Sequence, residues 1–241
     1  MRRSLSTLKT LRSNPKDEEA KNAKLLARAG FVDKLMAGVY SFLPLGLKVM
    51  QKIAGIIREE MNSLQGEEIL LPVLHPKENW EKTGRWANLD VLYKLKAGDG
   101  KEMALGPTHE EVIVPLAKKL VSSYKDLPFY LYQIQDKFRD EPRAKSGLLR
   151  GREFLMKDLY SFHASEKDLN NFYEKVKKAY FRIFERAGLA TILVEASGGT
   201  FSKHSHEFQV ISDAGEDTIF HCAKCGFARN EEIFEGKTCP N

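Results

Sequence analysis

The stretch that decides the fold is residues 129–162, FYLYQIQDKFRDEPRAKSGLLRGREFLMKDLYSF. From Phe129 to Glu141 apolar and polar residues alternate, which is the period of a β-strand with one polar face. Pro142 to Gly147 is a basic turn region, and strand character resumes from Leu148 to Tyr160. The sequence therefore predicts an antiparallel β-hairpin.

One side of this hairpin gathers charged and aromatic side chains. Period two places on it Arg139, Glu141, Arg150, Arg152, Phe154, Met156 and Asp158. Arginine forks suit phosphate oxygens, and an aromatic ring offers a face on which a purine can stack. The pattern thus indicates a nucleotide platform. A solvent-exposed sheet face laced with ion pairs is the alternative that alternation alone leaves open.

Helices are predicted before the hairpin. Residues 17–29 predict a short helix, and apolar residues at three- and four-residue steps from Leu47 predict a long one that Gly66 ends. A strand from Glu68 to Leu74 follows directly. Thr108 and Glu111 fit a capping box, so a further helix is expected to run to about residue 124.

The hairpin is followed by one more helix and further strands. Ser165 with Asp168 opens an amphipathic helix that Gly188 ends. A glycine-rich turn at residues 198–199 and a strand over residues 207–212 come next. Helices alternating with an antiparallel sheet predict the α+β class.

Composition narrows the class of protein. The 241 residues are 42% hydrophobic and carry a net charge of +5, which is typical of a globular protein and only weakly indicates a polyanionic partner. Polar residues from Ser6 to Arg12 interrupt any export signal, and no apolar run approaches the length of a membrane span. We therefore expect a folded cytoplasmic protein.

The hairpin resembles motif 2 of bacterial-type prolyl-tRNA synthetases, which are class II aminoacyl-tRNA synthetases. The matching strings are FRDE at 138–141, LRGREFLMKD at 149–158 and YSFH at 160–163. AGVYSFLPLG at 37–46, with the long helix and the strand after it, is similar to motif 1. The resemblance runs from about residue 15 to 230. It implies a class II antiparallel sheet flanked by helices.

The same resemblance implies a set of ATP ligands and catalytic residues. Arg139 is expected to contact the α-phosphate of ATP and the amino acid carboxylate, and Arg150 the γ-phosphate end. Glu141 is expected to accept from the adenine amino group, and Phe154 to stack on adenine. Arg139 and Arg150 are the residues for which a catalytic role is implied.

A proline pocket is implied upstream and downstream of the hairpin. Thr108 and Glu110 match the loop that holds the imino nitrogen, which needs a carboxylate and a neutral acceptor. The plain alternatives are a helix cap for Thr108 and a first-turn acidic residue for Glu110. From the string SHEFQ at 205–209, His206 and Phe208 are expected in the pocket. Glu207 and Gln209 are expected at ATP.

The implied reaction converts L-proline and ATP, carried with Mg²⁺, into prolyl-adenylate and then esterifies tRNA(Pro). A homodimer through the motif 1 helix is also implied. Two alternatives stay open: a non-catalytic synthetase-like module that binds tRNA or protein, and a threonyl-type ligase. The LMKD string at 155–158 and the absence of cysteine from motif 2 favour proline over threonine.

Three cysteines indicate a metal site near the end of the sequence. Cys222 and Cys225 form a CxxC knuckle and Cys239 begins a second one, a spacing typical of a zinc ribbon. Reduced surface cysteines are the alternative. His221 or a residue not in this sequence would complete the site.

We accordingly expect two domains. Residues 1–220 would form the class II catalytic domain, and residues 221–241 the start of an insertion or zinc-ribbon-like segment. Motif 3 does not occur after residue 163, and no anticodon-binding domain is present. The sequence therefore predicts a catalytic fold that is incomplete at its C-terminus.

Overall fold

The computed structural model describes residues 9–142, 144, 146–198, 202–213, 215–236 and 238–239, with the backbone alone at 202–204. Some of the predictions above concern residues outside this description. These are residues 1–8 at the start of the sequence, 143 and 145 in the basic hairpin loop, and 199 in the glycine turn.

The chain forms two compact units, one ending at Asn170 and the other beginning at Asn171. The helices of the first unit are α1 Lys21–Arg28, α2 Pro44–Ser63, α3 Lys77–Lys82, α4 Arg85–Asn88 and α5 Glu110–Leu120. Helix α6, Glu166–Arg186, begins in the first unit and continues in the second. The strands of the first unit are β1 Val32–Met36, β2 Val39–Phe42, β3 Glu67–Glu68, β4 Leu74–Pro76, β5 Lys94–Lys96, β6 Glu102–Leu105, β7 Phe129–Phe138 and β8 Glu153–Phe162. The second unit contains β9 Ile192–Gly198, β10 Ser202–Gln209, β11 Ile219–His221 and β12 Ala228–Asn230. The α+β prediction is confirmed.

The predicted hairpin is present as β7 and β8. The two strands pair antiparallel from Phe129↔Phe162 to Phe138↔Glu153, and β3 adds a parallel edge next to β7. The predicted start of the second strand at Leu148 was wrong, because a 3-10 helix over Gly147–Leu149 occupies that stretch. Arg150 therefore lies before the strand rather than on it.

The predicted strand from Glu68 to Leu74 was also wrong, since β3 ends at Glu68. Side chains of β7 replace the missing ladder. The Gln133 side chain accepts from the Leu71 amide at 3.0 Å, and the Gln135 side chain donates to the Leu71 carbonyl at 2.7 Å. Two glutamines thus hold the backbone that a neighbouring strand would otherwise hold.

The long helix predicted from Leu47 is present as α2. The first predicted helix begins later than expected, at Lys21. The acidic residues Asp17 and Glu18 before it lie 3.5 and 3.6 Å from the Lys34 ammonium instead of opening the helix.

The capping box at Thr108 and Glu111 was wrong. Helix α5 begins at Glu110 after His109, and no side chain caps it. Glu111 is turned away and buried, where its carboxylate accepts from Arg85 at 2.7 Å and from Thr83 at 3.2 Å. The helix ends at Leu120 because Val121 is extended.

The C-terminal unit is a four-stranded sheet in the order β10-β9-β12-β11. Its first two strands pair antiparallel, and β12 pairs parallel to β9. The strand predicted over residues 207–212 lies earlier, at Ser202–Gln209, because its register is set by pairing with β9 from Ser202↔Gly198 onwards. The Ser165 cap of α6 is confirmed, since the Ser165 hydroxyl accepts from the Asp168 amide at 3.2 Å.

Among the described residues, none of the helices combines the length and apolar content needed to cross a membrane.

Candidate functional site

The two hairpin strands bring an arginine and an aromatic ring together. The Arg139 amide donates to the Arg152 carbonyl at 2.8 Å, which continues the β7–β8 pairing past the end of both strands. Phe154 pairs with Lys137, so Phe154 and Arg139 share a face. The Arg139 guanidinium carbon lies 5.3 Å from the Phe154 ring centroid. The predicted platform of cation and aromatic ring is thus formed in the first unit.

Arg139 also touches the loop before α5. Its guanidinium donates from Nε and Nη2 to the Pro107 carbonyl, each at 3.4 Å. Burial lowers the pKa of Arg139, and the nearby carboxylates of Glu141 and Glu110 raise it. The remaining donors and the positive charge give this group the chemistry of an oxyanion ligand.

Glu141 and Arg150 flank this pair at the end of the hairpin. The Glu141 amide donates to the Arg139 carbonyl at 2.7 Å, and the Glu141 carbonyl accepts from Arg152 Nε at 3.1 Å. Arg150 is exposed and follows the 3-10 helix directly. Glu141 is thereby fixed close to Arg139, and Arg150 lies at the end of the hairpin loop.

Thr108 and Glu110 face each other in the loop that leads into α5. The Thr108 hydroxyl donates to the Glu110 carboxylate. Thr108 is buried and Glu110 half-buried, and Glu110 is close enough to influence the pKa of both Arg139 and Lys137. A hydroxyl and a carboxylate therefore lie beside the arginine of the platform.

A buried ion pair lies beneath this loop. Lys137 Nζ is 2.9 Å from Asp158 Oδ1, and the Lys137 side chain is fully buried. Asp158 Oδ2 also accepts from Gln133 at 2.9 Å and from the Tyr160 hydroxyl at 2.6 Å. Burial lowers the pKa of Lys137, while the bond to Asp158 opposes that shift. Burial and the same carboxylate raise the pKa of Tyr160.

Two buried histidines complete the layer. His75 Nε2 and His109 Nε2 each lie 3.0 Å from the Pro72 carbonyl oxygen. A carbonyl only accepts, so each Nε2 carries a proton. Burial and the charge of Lys137 lower the pKa of both histidines to about 4, so both imidazoles are neutral near pH 7. His75 contacts His109 edge to face at 4.7 Å.

In the second unit, His206 and Phe208 lie on the side of β10 that meets α6. The Tyr173 hydroxyl is 2.9 Å from His206 Nδ1, and the Phe208 ring lies 4.8 Å from that of Phe181. Glu207 and Gln209 occupy the opposite side of the strand and bond to each other at 2.6 Å. The four predicted residues thus divide into two faces of one strand.

The three cysteines meet at the β11–β12 turn. Their sulfur atoms all lie within 4.8 Å of one another, and the Cys225 and Cys239 sulfurs are 3.4 Å apart. Backbone amides of Cys225 and Lys224 lower the pKa of Cys222 to about 7. Within the described part of the chain, His221 does not belong to this cluster. Three thiols with one already acidified form a donor set that suits zinc.

The hairpin, the loop and the C-terminal strands fall within a single family match. Residues 93–238 match the tRNA synthetase class II core domain of the glycine, histidine, proline, serine and threonine enzymes. This match covers more than half of the chain. The chain belongs to the class II tRNA synthetase core family.

Bacterial relatives in this family carry a narrower name. The chain is 48% identical over 236 residues to the proline–tRNA ligase of Dehalococcoides mccartyi, and 50% identical over 235 residues to that of a Geobacillus species. These alignments cover 96% and 97% of the chain but 42% and 41% of the relatives. The chain thus spans about two fifths of the curated relatives it matches.

Solved structures support the class II fold. The prolyl-tRNA synthetase of Giardia lamblia, in complex with prolyl-adenylate, has a TM-score of 0.71 at 24% identity over 77% of the chain and 40% of its own length. That of Cryptosporidium parvum, with L-proline and AMP, has a TM-score of 0.68 at 16% identity over 76% and 38%. The predicted synthetase fold is confirmed.

Sequence reasoning missed the buried layer of this class II site. Lys137 and Asp158 were placed on the correct strand faces, but no role was assigned to Lys137, Tyr160 or His109. The signal that could have found them is the register. Gln133 pairs with Asp158 and Leu131 with Tyr160, so the charged face of β7 meets that of β8 under the loop.

Proposed function

We propose that the chain is the catalytic portion of a proline–tRNA ligase. The observation that carries the proposal is the juxtaposition of Arg139 and Phe154 with the Thr108–Glu110 pair at one end of the β7–β8 hairpin. The relatives at about half identity are named proline–tRNA ligases, which supports the choice of amino acid.

ATP would bind along the end of the hairpin. The adenine ring stacks on Phe154 and donates from its amino group to Glu141, while Arg139 neutralises the α-phosphate. Arg150, on the exposed loop, binds the far end of the triphosphate. Glu207 and Gln209 stay proposed as ATP ligands on the resemblance alone. ATP enters as its Mg²⁺ complex, in which the cation offsets phosphate charge.

L-proline would bind against Thr108 and Glu110. Its secondary ammonium donates to the Glu110 carboxylate and to the Thr108 oxygen, and its carboxylate contacts Arg139. His206 and Phe208 stay proposed as proline ligands on the resemblance alone. Because Arg139 contacts both substrates, it brings the proline carboxylate to the α-phosphate.

The reaction would need no covalent enzyme intermediate. A proline carboxylate oxygen attacks the α-phosphorus, the bond to the bridging oxygen breaks, and pyrophosphate leaves with the electron pair. A terminal ribose hydroxyl of tRNA(Pro) then attacks the carbonyl carbon, and AMP leaves. The chain's residues position the reactants and stabilise charge on the phosphorus-bound oxygens.

A structural zinc would be held by Cys222, Cys225 and Cys239, with a fourth ligand from elsewhere. Their sulfur spacing and the acidified Cys222 thiol support this. When bound, the ion would cross-link the β11–β12 turn to Cys239. We further propose residues 1–220 as the catalytic domain and residues 221–241 as the beginning of the zinc-binding segment.

The whole protein is proposed to be a cytoplasmic homodimer that binds tRNA(Pro). Support for the dimer comes from helix α2, which with the β1–β2 hairpin and part of β8 lines an apolar cavity of about 370 Å³. Val49 and Ile53 of α2 are 45% and 42% exposed there, which is unusual for large apolar side chains on one helix face.

Calorimetry with a non-hydrolysable prolyl-adenylate analogue tests the function. The 241-residue chain should bind it at least about tenfold more tightly than the threonyl and alanyl analogues. Equal binding of all three would contradict proline specificity. A preference for the threonyl analogue would favour the threonyl-type ligase instead. Proline-dependent ATP–pyrophosphate exchange by the chain would exclude the non-catalytic binding module.

A further inference from the structure

We infer that Tyr160 is a positioning residue that holds the Thr108–Glu110 loop in its substrate-binding conformation. The inference rests on the proposed function for its consequence, the binding of proline, but it stands on the buried layer for its geometry. Tyr160 lies on β8, on the same face of the hairpin as Phe154 and Asp158.

The Tyr160 hydroxyl joins the loop to the buried ion pair. It accepts from the His109 amide at 3.1 Å and donates to Asp158 Oδ2 at 2.6 Å. His109 stands between Thr108 and Glu110, so its amide is the backbone group central to the pair. A hydrogen-bond acceptor at this amide fixes the backbone from which the side chains of Thr108 and Glu110 project.

The hydroxyl is itself held firmly. The Tyr160 ring packs against the apolar cluster of Leu71, Ile113 and Leu131. Asp158 cannot move away, since Lys137 and Gln133 bind it on both oxygens at 2.9 Å. The phenol therefore links the β7–β8 sheet to the loop through the 3.1 Å bond from the His109 amide.

Two further contacts restrict the movement of the loop. Arg139 holds the Pro107 carbonyl at the start of the loop, and His109 Nε2 donates to the Pro72 carbonyl at 3.0 Å. The loop is thus held at the Pro107 carbonyl, the His109 side chain and the His109 amide, and Tyr160 supplies the contact to the amide. Loss of that contact leaves the backbone between Thr108 and Glu110, the pair proposed to select the imino nitrogen, without its acceptor.

The test compares Tyr160→Phe with Tyr132→Phe in the full 241-residue chain. Tyr132 is a buried tyrosine on the partner strand with its hydroxyl on the opposite side of the sheet, 2.7 Å from Asn62 Oδ1. Both changes remove one buried phenol oxygen and keep the ring. Only the first should affect the loop.

The first measurement is amide hydrogen exchange at His109, which needs no ligand. Tyr160→Phe should speed it by about tenfold, because the acceptor that protects this amide is lost, and Tyr132→Phe should leave it unchanged. Unchanged exchange in Tyr160→Phe would overturn the inference.

The second measurement separates proline recognition from general loss of structure. Tyr160→Phe should bind the prolyl-adenylate analogue about tenfold more weakly and bind ATP within twofold of the wild type. Equal weakening of both ligands, or of neither, would overturn the positioning role. If the wild type itself fails to bind the analogue, the proposed function fails, and exchange at His109 alone decides whether Tyr160 holds the loop.

Discussion

Arg139 lies across the Phe154 ring with its guanidinium carbon 5.3 Å from the ring centroid, while the same guanidinium donates to the Pro107 carbonyl. The two residues come from different strands, and the pairing of Lys137 with Phe154 sets their separation. A base stacked on the outer face of Phe154 would therefore lie in register with a phosphate on Arg139. Several experiments probe this relationship and the layer that supports it.

Removing the aromatic ring should weaken ATP binding. Phe154→Ala should raise the Kd for ATP about tenfold or more, because a stacked base contributes roughly 1–3 kcal/mol. Leu155→Ala, on the opposite side of the same strand, serves as the control. Calorimetry at fixed Mg²⁺ measures both. Similar Kd values for the two variants would place adenine elsewhere.

A methyl group at Gly106 should destabilise the fold. A Cβ there would lie 2.7 Å from His75 Cε1 and 3.1 Å from His109 Cε1, and neither ring can move without leaving the Pro72 carbonyl. Gly106→Ala should cost about 1–3 kcal/mol in denaturant unfolding. Gly98→Ala, where the Cβ meets nothing within 4 Å, should change stability by less than about 0.5 kcal/mol. Equal losses of stability in the two variants would show that the rings of His75 and His109 can move aside.

The buried histidines should make stability depend on pH. Their pKa is about 4 in the folded chain against the ordinary 6.5, so the unfolded chain binds protons first. The free energy of unfolding should therefore be level above pH 6.5 and fall as the pH drops from 6.5 toward 4.

The double variant His75→Gln, His109→Gln should flatten this slope, since an amide can donate to Pro72 without titrating. Urea unfolding at pH 7.5, 6.0 and 5.0 measures the effect, with exposed His221→Gln as the control. A slope that survives in the double variant would assign it to carboxylates.

Zinc should bind at one ion per chain. Cys225→Ser should abolish retention of the metal after gel filtration, because two thiols remain of three, whereas Lys224→Ala keeps the backbone amide that acidifies Cys222. Elemental analysis of the purified proteins gives the stoichiometry. A chain that carries no zinc when refolded with one equivalent would refute the site.

A charge on the exposed face of α2 should disrupt self-association. Ile53→Asp should raise the dimer dissociation constant at least about tenfold, because the carboxylate would be buried against an apolar partner. The neighbouring Lys52→Asp, on the same helix, is the matched control. Sedimentation velocity across a concentration series measures both. A monomeric wild type would contradict the proposed dimer.

The sequence predicted the elements that local pattern controls. Period two located the β7–β8 hairpin, and the helical stripe from Leu47 located α2, because each pattern buries its own face. Thr108, Glu110 and Arg139 were predicted from a resemblance and are adjacent in the structure. Whether they bind proline stays a prediction.

Predictions failed where a distant side chain replaces a local interaction. Glu111 was assigned to the Thr108 cap, but Arg85 binds it across the fold. Leu71 was assigned to a strand, but glutamines of β7 take its backbone groups. Both partners come from far along the chain, so no local window contains the information. The polar face of β7 was likewise predicted without its burial, which depends on Asp158 and the loop above.

The shared carbonyl of Pro72 also closes its own backbone position to β-strand pairing with other chains. Leu70 and Leu74 beside it are exposed, and extended backbone with apolar side chains is a natural docking edge for a foreign strand. Proline offers no N–H, and its oxygen already accepts from two imidazoles, which fill both lone pairs. At this position the backbone has no hydrogen-bonding capacity left to offer a strand from another molecule.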